Sequence, residues 1–219
     1  MPDAKWDARK KRRYRRFAKA VDDLEKNWAV ALKRLPSART KLASGIGQLV
    51  LSHNYAHSSF AALFATLMHD PPTAIPLWHT QRTDRSQREL LVTAARTRLE
   101  GKRRALNAIL WAASKVESLS EFRNDVVHAE AGLDVQVRPY RVEFNPWATL
   151  PSRYARLKKE VKITQSLRTA SADLYKLGRY IQGIEHSVGA MRWTLPKRPR
   201  LHFVRGKHRH NALYPDTLL

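Results

Sequence analysis

Cysteine is absent from the 219 residues of the chain. That absence excludes disulfide bonds, thiolate metal sites and a cysteine nucleophile, and it fits a reducing compartment, so we expect a cytoplasmic protein. The sequence also lacks a Walker phosphate-binding loop, a Gly-x-Ser-x-Gly hydrolase motif and a paired-carboxylate metal motif. The sequence therefore gives no support to the enzyme classes that these motifs mark.

Charged side chains are missing from one long stretch, because no Lys, Arg, Asp or Glu occurs from residue 42 to residue 69. A segment of that length could cross a bilayer. It contains polar side chains that a lipid-facing helix avoids, namely Gln48, His53, Asn54, His57, Ser58 and Ser59. The stretch therefore predicts a buried helix of a helical bundle, and we expect no membrane partner.

Acidic residues are scarce: 19 Asp and Glu stand against 41 Lys and Arg, which gives a formal net charge of +22. Much of the excess lies at the ends, with eight basic and two acidic side chains in residues 1–16 and seven basic and no acidic ones in residues 192–210. Such a field attracts polyanions, nucleic acid first and anionic membrane surfaces second. We expect RNA as the partner; basic tails that only maintain solubility are the alternative.

The spacing of apolar residues predicts helices through most of the chain. A heptad seam predicts a first helix over about residues 4–34, ended by Pro36-Ser37. A second helix is predicted from about residue 37 to the Asp70-Pro71-Pro72 stop. The seam of the first helix comprises Tyr14, Phe17, Val21, Leu24, Trp28, Ala31 and Leu35, and the stripe of the second comprises Ile46, Leu49, His53, Ala56, Phe60, Leu63 and Leu67.

Further helices and a short ribbon are predicted downstream. After a connector, Thr83-Asp84 is expected to cap a helix that reaches about residue 99, and another helix is expected over 103–131, closed by Gly132. Alternating apolar residues over 133–144 predict an extended ribbon interrupted at Pro139. A last long helix is predicted over 152–193, with an extended or poorly ordered tail beyond Pro196.

These elements predict an all-α fold, a helical bundle with long N- and C-terminal helices and a short extended ribbon. The expected organisation is a basic heptad helix over residues 1–36, the bundle over 37–193 and a basic tail over 194–219. A ribbon or loop insertion is expected within the bundle at 133–150.

The segment Arg123-Asn124-Asp125-Val126-Val127-His128 carries the most chemistry of any stretch in the chain. Arg123 occupies an apolar position of its helix, in register with Leu119 and Val126. Burying an unpaired guanidinium costs several kcal/mol, so this side chain must meet a carboxylate, a phosphate or an open cleft. A cation, a positioning amide and a group that titrates near neutrality are what metal-free RNA cleavage requires.

Arg123 and His128 lie about 140° apart around an ideal helix, so they do not point together. The helix could loosen toward its end, the long arginine could wrap around, or a second copy could supply the missing half at a symmetric dimer interface. A purely structural alternative also exists, in which Arg123 pairs with Glu117 or Glu121 and His128 offsets the helix dipole.

The Arg-Asn-x3-His spacing late in a helical bundle resembles the motif of HEPN domains. The segments Gly47-Gln48-Leu49-Val50 and Thr83-Asp84-Arg85-Ser86-Gln87-Arg88-Glu89 are also similar to a bacterial, uncharacterised branch of that family. The resemblance extends over about residues 42–131. It implies a metal-independent endoribonuclease of a toxin, defence or RNA-processing system, which leaves a 2′,3′-cyclic phosphate and a 5′-hydroxyl. It also implies a homodimer with two motifs side by side, and a protein partner such as an antitoxin.

The same resemblance implies a role for each motif residue and no cofactor. His128 acts as general base or acid, Arg123 stabilises the charge of the transition state, and Asn124 orients the histidine or the phosphate. One subgroup carries a modified tyrosine two residues after the histidine, where this chain has Glu130, so that regulation is not expected. Members without cleavage activity exist, which makes a non-catalytic RNA-binding or partner-binding module the second hypothesis.

Two weaker signals concern binding. Arg82, Arg85 and Arg88 at a helix start could hold phosphates, and His57 could line a cleft near the motif, so these four are candidate RNA-binding residues. A solvated basic face is the alternative for the arginines. His53 and His57 are spaced i,i+4 like a metal pair, but their helix has no carboxylate to complete a site, so no metal is predicted.

Overall fold

The computed structural model describes residues 4–137, 140–147 and 163–203. Within these ranges lie five helices and two strands: α1 (Ala4–Met68), α2 (Pro71–Thr80), α3 (Asp84–Arg98), α4 (Arg103–Val127), β1 (Glu130–Val137), β2 (Tyr140–Trp147) and α5 (Ile163–Gly189). The predicted helical architecture is confirmed at this coarse level. Among the same residues, no helix combines the length and the apolar character that a membrane span needs.

The described residues divide into two compact units, one formed by residues 4–44, 130–137 and 140–147 and the other by residues 45–129 and 163–203. In the first unit, β1 and β2 pair antiparallel, with Glu130 opposite Trp147 and Val137 opposite Tyr140. The predicted interruption at Pro139 lies outside the described residues. In the predicted heptad seam of the same unit, Tyr14 is 73% and Phe17 70% exposed.

The predicted end of the first helix at Pro36-Ser37 is wrong, because α1 continues through Pro36. A proline inside a helix removes one backbone hydrogen bond, here the one to the carbonyl of Leu32, and crowds that turn. The hydroxyl of Thr40 donates to the Pro36 carbonyl at 2.9 Å on the far side of the proline. Alanine, leucine, lysine and arginine flank this position and favour the helix, which outweighs the loss of a single bond.

Two other boundaries differ from the sequence prediction. The connector expected after Asp70 is helical as α2, since Asp70 caps it by accepting from the Thr73 amide and two prolines occupy its first turn. α4 ends at Val127 instead of residue 131, because β1 begins at Glu130. His128 is therefore the C-cap residue of α4 and not part of the helix.

The core of the second unit is built from the predicted apolar stripes of α1 and α4 together with α5. Nearly every position of both stripes is buried; Arg123 is half-buried. The largest fully buried side chains are Phe60, Phe64, Phe122, Leu49, Leu63, Leu67, Leu91, Ile109, Leu167, Leu174, Leu177 and Ile181. Burial of that much apolar surface is the main force that holds these helices together.

Polar bonds fix the register of α5 on α1. The hydroxyls of Ser52 and Ser171 lie 2.8 Å apart, and Tyr55 donates its hydroxyl to Gln182 at 2.8 Å. The predicted last helix is shorter than expected at its C-terminal end, since α5 stops at Gly189, and residues 152–162 lie outside the described part. The segment after Pro196 is not helical up to residue 203, as predicted for the tail.

That segment packs against the bundle instead of leaving it. The ring of Phe203 lies 4.6 Å from that of Phe122, and the carboxylate of Asp173 accepts from the backbone amides of His202 and Phe203. The ring contact places Phe203 against Phe122, the residue that precedes the motif on α4.

Candidate functional site

The last turn of α4 presents Arg123 and Asn124 together. Arg123 Nη1 donates to Asn124 Oδ1 at 2.7 Å, and both side chains are half-buried. Arg123 Nε is buried and has no hydrogen-bond partner within the described residues. No ion pair joins Arg123 to Glu117 or Glu121 there, so the purely structural explanation of this arginine is not supported. The guanidinium keeps a donor for an anion that none of the described residues supplies.

His128 lies apart from this pair. Its amide donates to the Asn124 carbonyl at 3.2 Å, its side chain is exposed, and its φ and ψ of −96° and 9° are those of a helix end. In the described part of the chain, its imidazole makes no hydrogen bond to Arg123 or Asn124. The single chain thus brings two of the three predicted motif residues into contact and leaves the third facing solvent.

A polar cluster inside the second unit lies close to the motif. His53 and His57, one turn apart on α1, have ring centroids 4.6 Å from each other. His53 Nε2 lies 2.9 Å from Ser120 Oγ on α4 and 3.6 Å from Asp84 Oδ2 on α3. Because the Ser120 hydroxyl donates to the Val116 carbonyl at 2.8 Å, its oxygen accepts from His53, which places the proton of His53 on Nε2.

Arg88 enters the same cluster from α3. It is 3% exposed, and its Nη1 donates to His57 Nε2 at 3.2 Å, since a guanidinium can only donate. The proton of His57 therefore lies on Nδ1. The three arginines predicted to act together separate: Arg82 and Arg85 are exposed, Arg85 pairs with Glu89 at 2.9 Å, and Arg88 is buried. Phosphate contacts at Arg82 and Arg85 remain a prediction.

Both histidines of the cluster are neutral at physiological pH. Burial, together with electrostatic interactions with His57, Arg123 and Arg88, lowers the pKa of His53 from 6.5 to about 4, and the Asp84 carboxylate acts in the opposite direction. Burial, together with the positive charges of Arg88 and Arg123, also lowers the pKa of His57 to about 4. The Asp84 carboxylate acts in the opposite direction and raises this pKa. The guanidinium of Arg123 is therefore near enough to both imidazoles to influence their ionisation.

The arrangement combines two guanidiniums, two neutral imidazoles and one carboxylate. A neutral imidazole can accept or donate a proton, and a partly exposed guanidinium can neutralise a phosphate. Four side chains of the site are at least partly accessible to solvent, namely Arg123, Asn124, His57 and Asp84. Three others are buried, namely His53, Arg88 and Ser120. A ligand can reach the first group, and the second group supports it.

Sequence reasoning missed Asp84 and Ser120 and did not connect His53 to the motif. Ser120 carried a signal, because Ser120, Asn124 and His128 recur every fourth residue and mark a polar stripe beside the apolar one. Asp84 carried none beyond its place at a helix start, where an acidic residue is ordinary. His57, predicted to lie near the motif, lies within the electrostatic reach of Arg123.

No family model, no curated protein and no solved structure matches this chain.

Proposed function

We propose that the second unit is a HEPN-type bundle and that the protein is a metal-independent endoribonuclease. The observation that supports this function best is the half-buried guanidinium of Arg123, which is bonded to Asn124 and keeps an unpartnered Nε beside a cluster of neutral imidazoles. A buried donor without a partner costs about 1–3 kcal/mol, which a bound phosphate oxygen would recover. The net charge of +22 supplies the attraction for RNA.

In this mechanism the ribose 2′-oxygen attacks the neighbouring phosphorus. His128 removes the 2′-hydroxyl proton as general base, and the 5′-oxygen leaves as its bond to phosphorus breaks and takes up a proton. Arg123 stabilises the extra negative charge on the pentacoordinate phosphorus, and Asn124 holds the guanidinium or the phosphate. The products are a 2′,3′-cyclic phosphate and a 5′-hydroxyl.

A second copy of the chain completes the site in this proposal. His128 is exposed at the C-cap of α4 and does not contact Arg123 through a hydrogen bond within the described residues. A two-fold axis beside the end of α4 would bring the two motifs together, so that one His128 acts as base and the other as acid. A homodimer in the cytoplasm, inhibited by an antitoxin-like protein partner, is the biological form that we propose.

The second candidate is a non-catalytic RNA-binding or partner-binding module. The separation of His128 from Arg123 in the single chain favours it, because a site that never assembles cannot cleave. This module would bind RNA with a steep salt dependence and release no fragments.

One assay separates the two. Purified protein is incubated with total RNA and transfer RNA in EDTA, beside His128→Ala and Arg123→Ala. Each variant has a matched control: His79→Ala for the histidine and Arg96→Ala for the arginine, both exposed on neighbouring helices. We expect cyclic-phosphate ends from the wild type and both controls, and a rate lower by about 10²–10⁴ in His128→Ala.

Equal cleavage by His128→Ala and wild type would eliminate the proposed base. Intact RNA that is shifted on a gel by all five proteins would instead establish the binding module. Light scattering of the same samples reports whether the cleaving species is a dimer.

A further inference from the structure

Three potential metal ligands meet in the second unit although they come from two helices. His53 and His57 on α1 and Asp84 at the first position of α3 each place one ligand atom within 4.8 Å of the others. α1 has no carboxylate between residue 26 and its end at Met68, and α3 supplies one to the i,i+4 pair. Two imidazoles and one carboxylate are a common ligand set for catalytic zinc and for other first-row transition metals.

The distances are close to those of a coordinated ion. Ligand atoms about 2.0–2.1 Å from a tetrahedral zinc lie about 3.3 Å from one another. His53 Nε2 and Asp84 Oδ2 are 3.6 Å apart, and coordination through Nε2 moves the His53 proton to Nδ1 and replaces the bond to Ser120. The two imidazole rings are 4.6 Å apart at their centroids and inclined by 32°, so both can direct a nitrogen toward one point after small rotations.

One nitrogen of the cluster lacks a hydrogen-bond partner among the described residues, and the Asp84 side of the cluster is accessible to solvent. His53 Nδ1 is buried without a hydrogen-bond partner in the described part of the chain, so this imidazole is incompletely satisfied when no ion is bound. The His53 side chain is 1% exposed, whereas that of Asp84 is 40% exposed. An ion can therefore enter past Asp84 and keep a water or an anion as its fourth ligand.

We propose that His53, His57 and Asp84 form a binding site for a divalent transition metal of the zinc class. Nitrogen ligands select zinc, cobalt or nickel over magnesium and calcium, which require oxygen ligands. This inference goes beyond the proposed nuclease, whose cleavage needs no metal. Its ligands are not the residues to which the nuclease mechanism assigns a step, so it can fail separately.

The neighbouring arginines set the strength of the site. Arg88 donates to His57 Nε2 at 3.2 Å, so it must release that nitrogen, or His57 must coordinate through Nδ1. The positive charge of Arg123 is near both imidazoles and opposes a dication. Replacing Arg123 with a neutral side chain therefore increases zinc affinity, a result that an unrelated surface site would not show.

The test is calorimetric titration of zinc into protein that has been stripped with EDTA and exchanged into chelator-free buffer, without RNA. We expect about one tight zinc per chain, no binding of magnesium, and higher zinc affinity in Arg123→Gln. Asp84→Asn and His57→Ala should lose more than about 100-fold in affinity, because even partners outside the coordination sphere contribute 10- to 100-fold. His79→Ala, at an exposed histidine of α2, is the matched control and should bind as wild type.

Cobalt provides a measurement that does not depend on any variant folding. A tetrahedral nitrogen-containing site gives the wild type strong visible absorption with cobalt, and zinc should abolish that absorption by displacement. Equal zinc affinity in wild type, Asp84→Asn and His57→Ala would assign the binding to other histidines and overturn the proposal. RNA cleavage by the wild type in EDTA, together with tight zinc binding in chelator-free buffer, would show that the two activities are independent.

Discussion

Gly178 is the residue whose identity is most tightly constrained by packing. A Cβ at this position of α5 would lie 2.5 Å from Cδ1 and 2.6 Å from Cε1 of Tyr55. The Tyr55 ring cannot retreat freely, because its hydroxyl bonds to Gln182 and its ring stacks on Tyr175 at 5.2 Å. We expect Gly178→Ala to lower the free energy of unfolding by about 1–3 kcal/mol, the usual cost of overpacking, measured by urea denaturation.

Gly47 provides the matched comparison on α1. A Cβ added there meets no atom within 4 Å, and the position is exposed in a helix. Gly47→Ala should raise the free energy of unfolding by roughly 0.5–1 kcal/mol, because alanine loses less backbone entropy on folding. Equal effects of the two substitutions would show that the approach of α5 to Tyr55 is not as close as described.

At the scale of the element, the start of α3 depends on one side chain. Thr83 Oγ1 accepts from the Ser86 amide at 3.1 Å, and the Thr83 amide donates to Ser86 Oγ at 3.3 Å. Thr83→Ala should cost about 1 kcal/mol of stability, measured by thermal or urea unfolding. Thr93→Ala, at an exposed interior position of the same helix, removes no cap and should be neutral or slightly stabilising. A loss of equal size in both variants would refute the capping role.

Helix positions were predictable from the sequence where a periodic stripe or a cap determines them. The apolar stripe of α1 from Ile46 to Leu67 and the stripe of α4 are largely buried because their apolar residues recur every three or four positions. Thr83 caps α3 because its hydroxyl accepts from an amide that has no partner within the helix. The continuity of α1 through Pro36 was not predictable in this way. The free-energy cost of a proline inside a helix competes with the helix propensity of the residues around it. The presence of the proline alone therefore does not predict whether the helix ends there.

At the scale of the molecule, the motif was visible in sequence and its surroundings were not. Arg123 could be identified from the sequence because it is a charged residue at a position where the helix pattern predicts an apolar one. The pattern of a single helix is enough to show this mismatch. The bond between His53 and Ser120 joins residues 67 positions apart, and that between Arg88 and His57 joins residues 31 apart. Contacts between residues so far apart in the sequence depend on how the helices pack, which the sequence pattern does not show. For the same reason, the sequence did not distinguish Arg88, which is buried, from Arg82 and Arg85, which are exposed.

The buried histidine pair gives the whole fold a dependence on pH. In the folded chain the pKa values of His53 and His57 are lowered to about 4, whereas unfolded histidine titrates near 6.5. The unfolded state therefore binds up to two more protons than the folded state between these values. The free energy of unfolding that the two neutral histidines contribute is fully present above about pH 6.5. It falls on acidification by up to about 2.7 kcal/mol per pH unit, until the pH is below the pKa of the histidines in the folded chain.

Urea unfolding in EDTA between pH 7 and pH 5 measures this dependence while most exposed carboxylates stay ionised. Asp84, Arg88 and Arg123 face the pair, so the contribution of each histidine is isolated by comparing single variants. His57→Gln should reduce the slope by about one proton, and His79→Gln, at an exposed position, should leave it unchanged. A wild-type stability that does not change from pH 7 to pH 5 would mean that these imidazoles already titrate normally in the folded protein, and that the cluster is more open to water than its burial indicates.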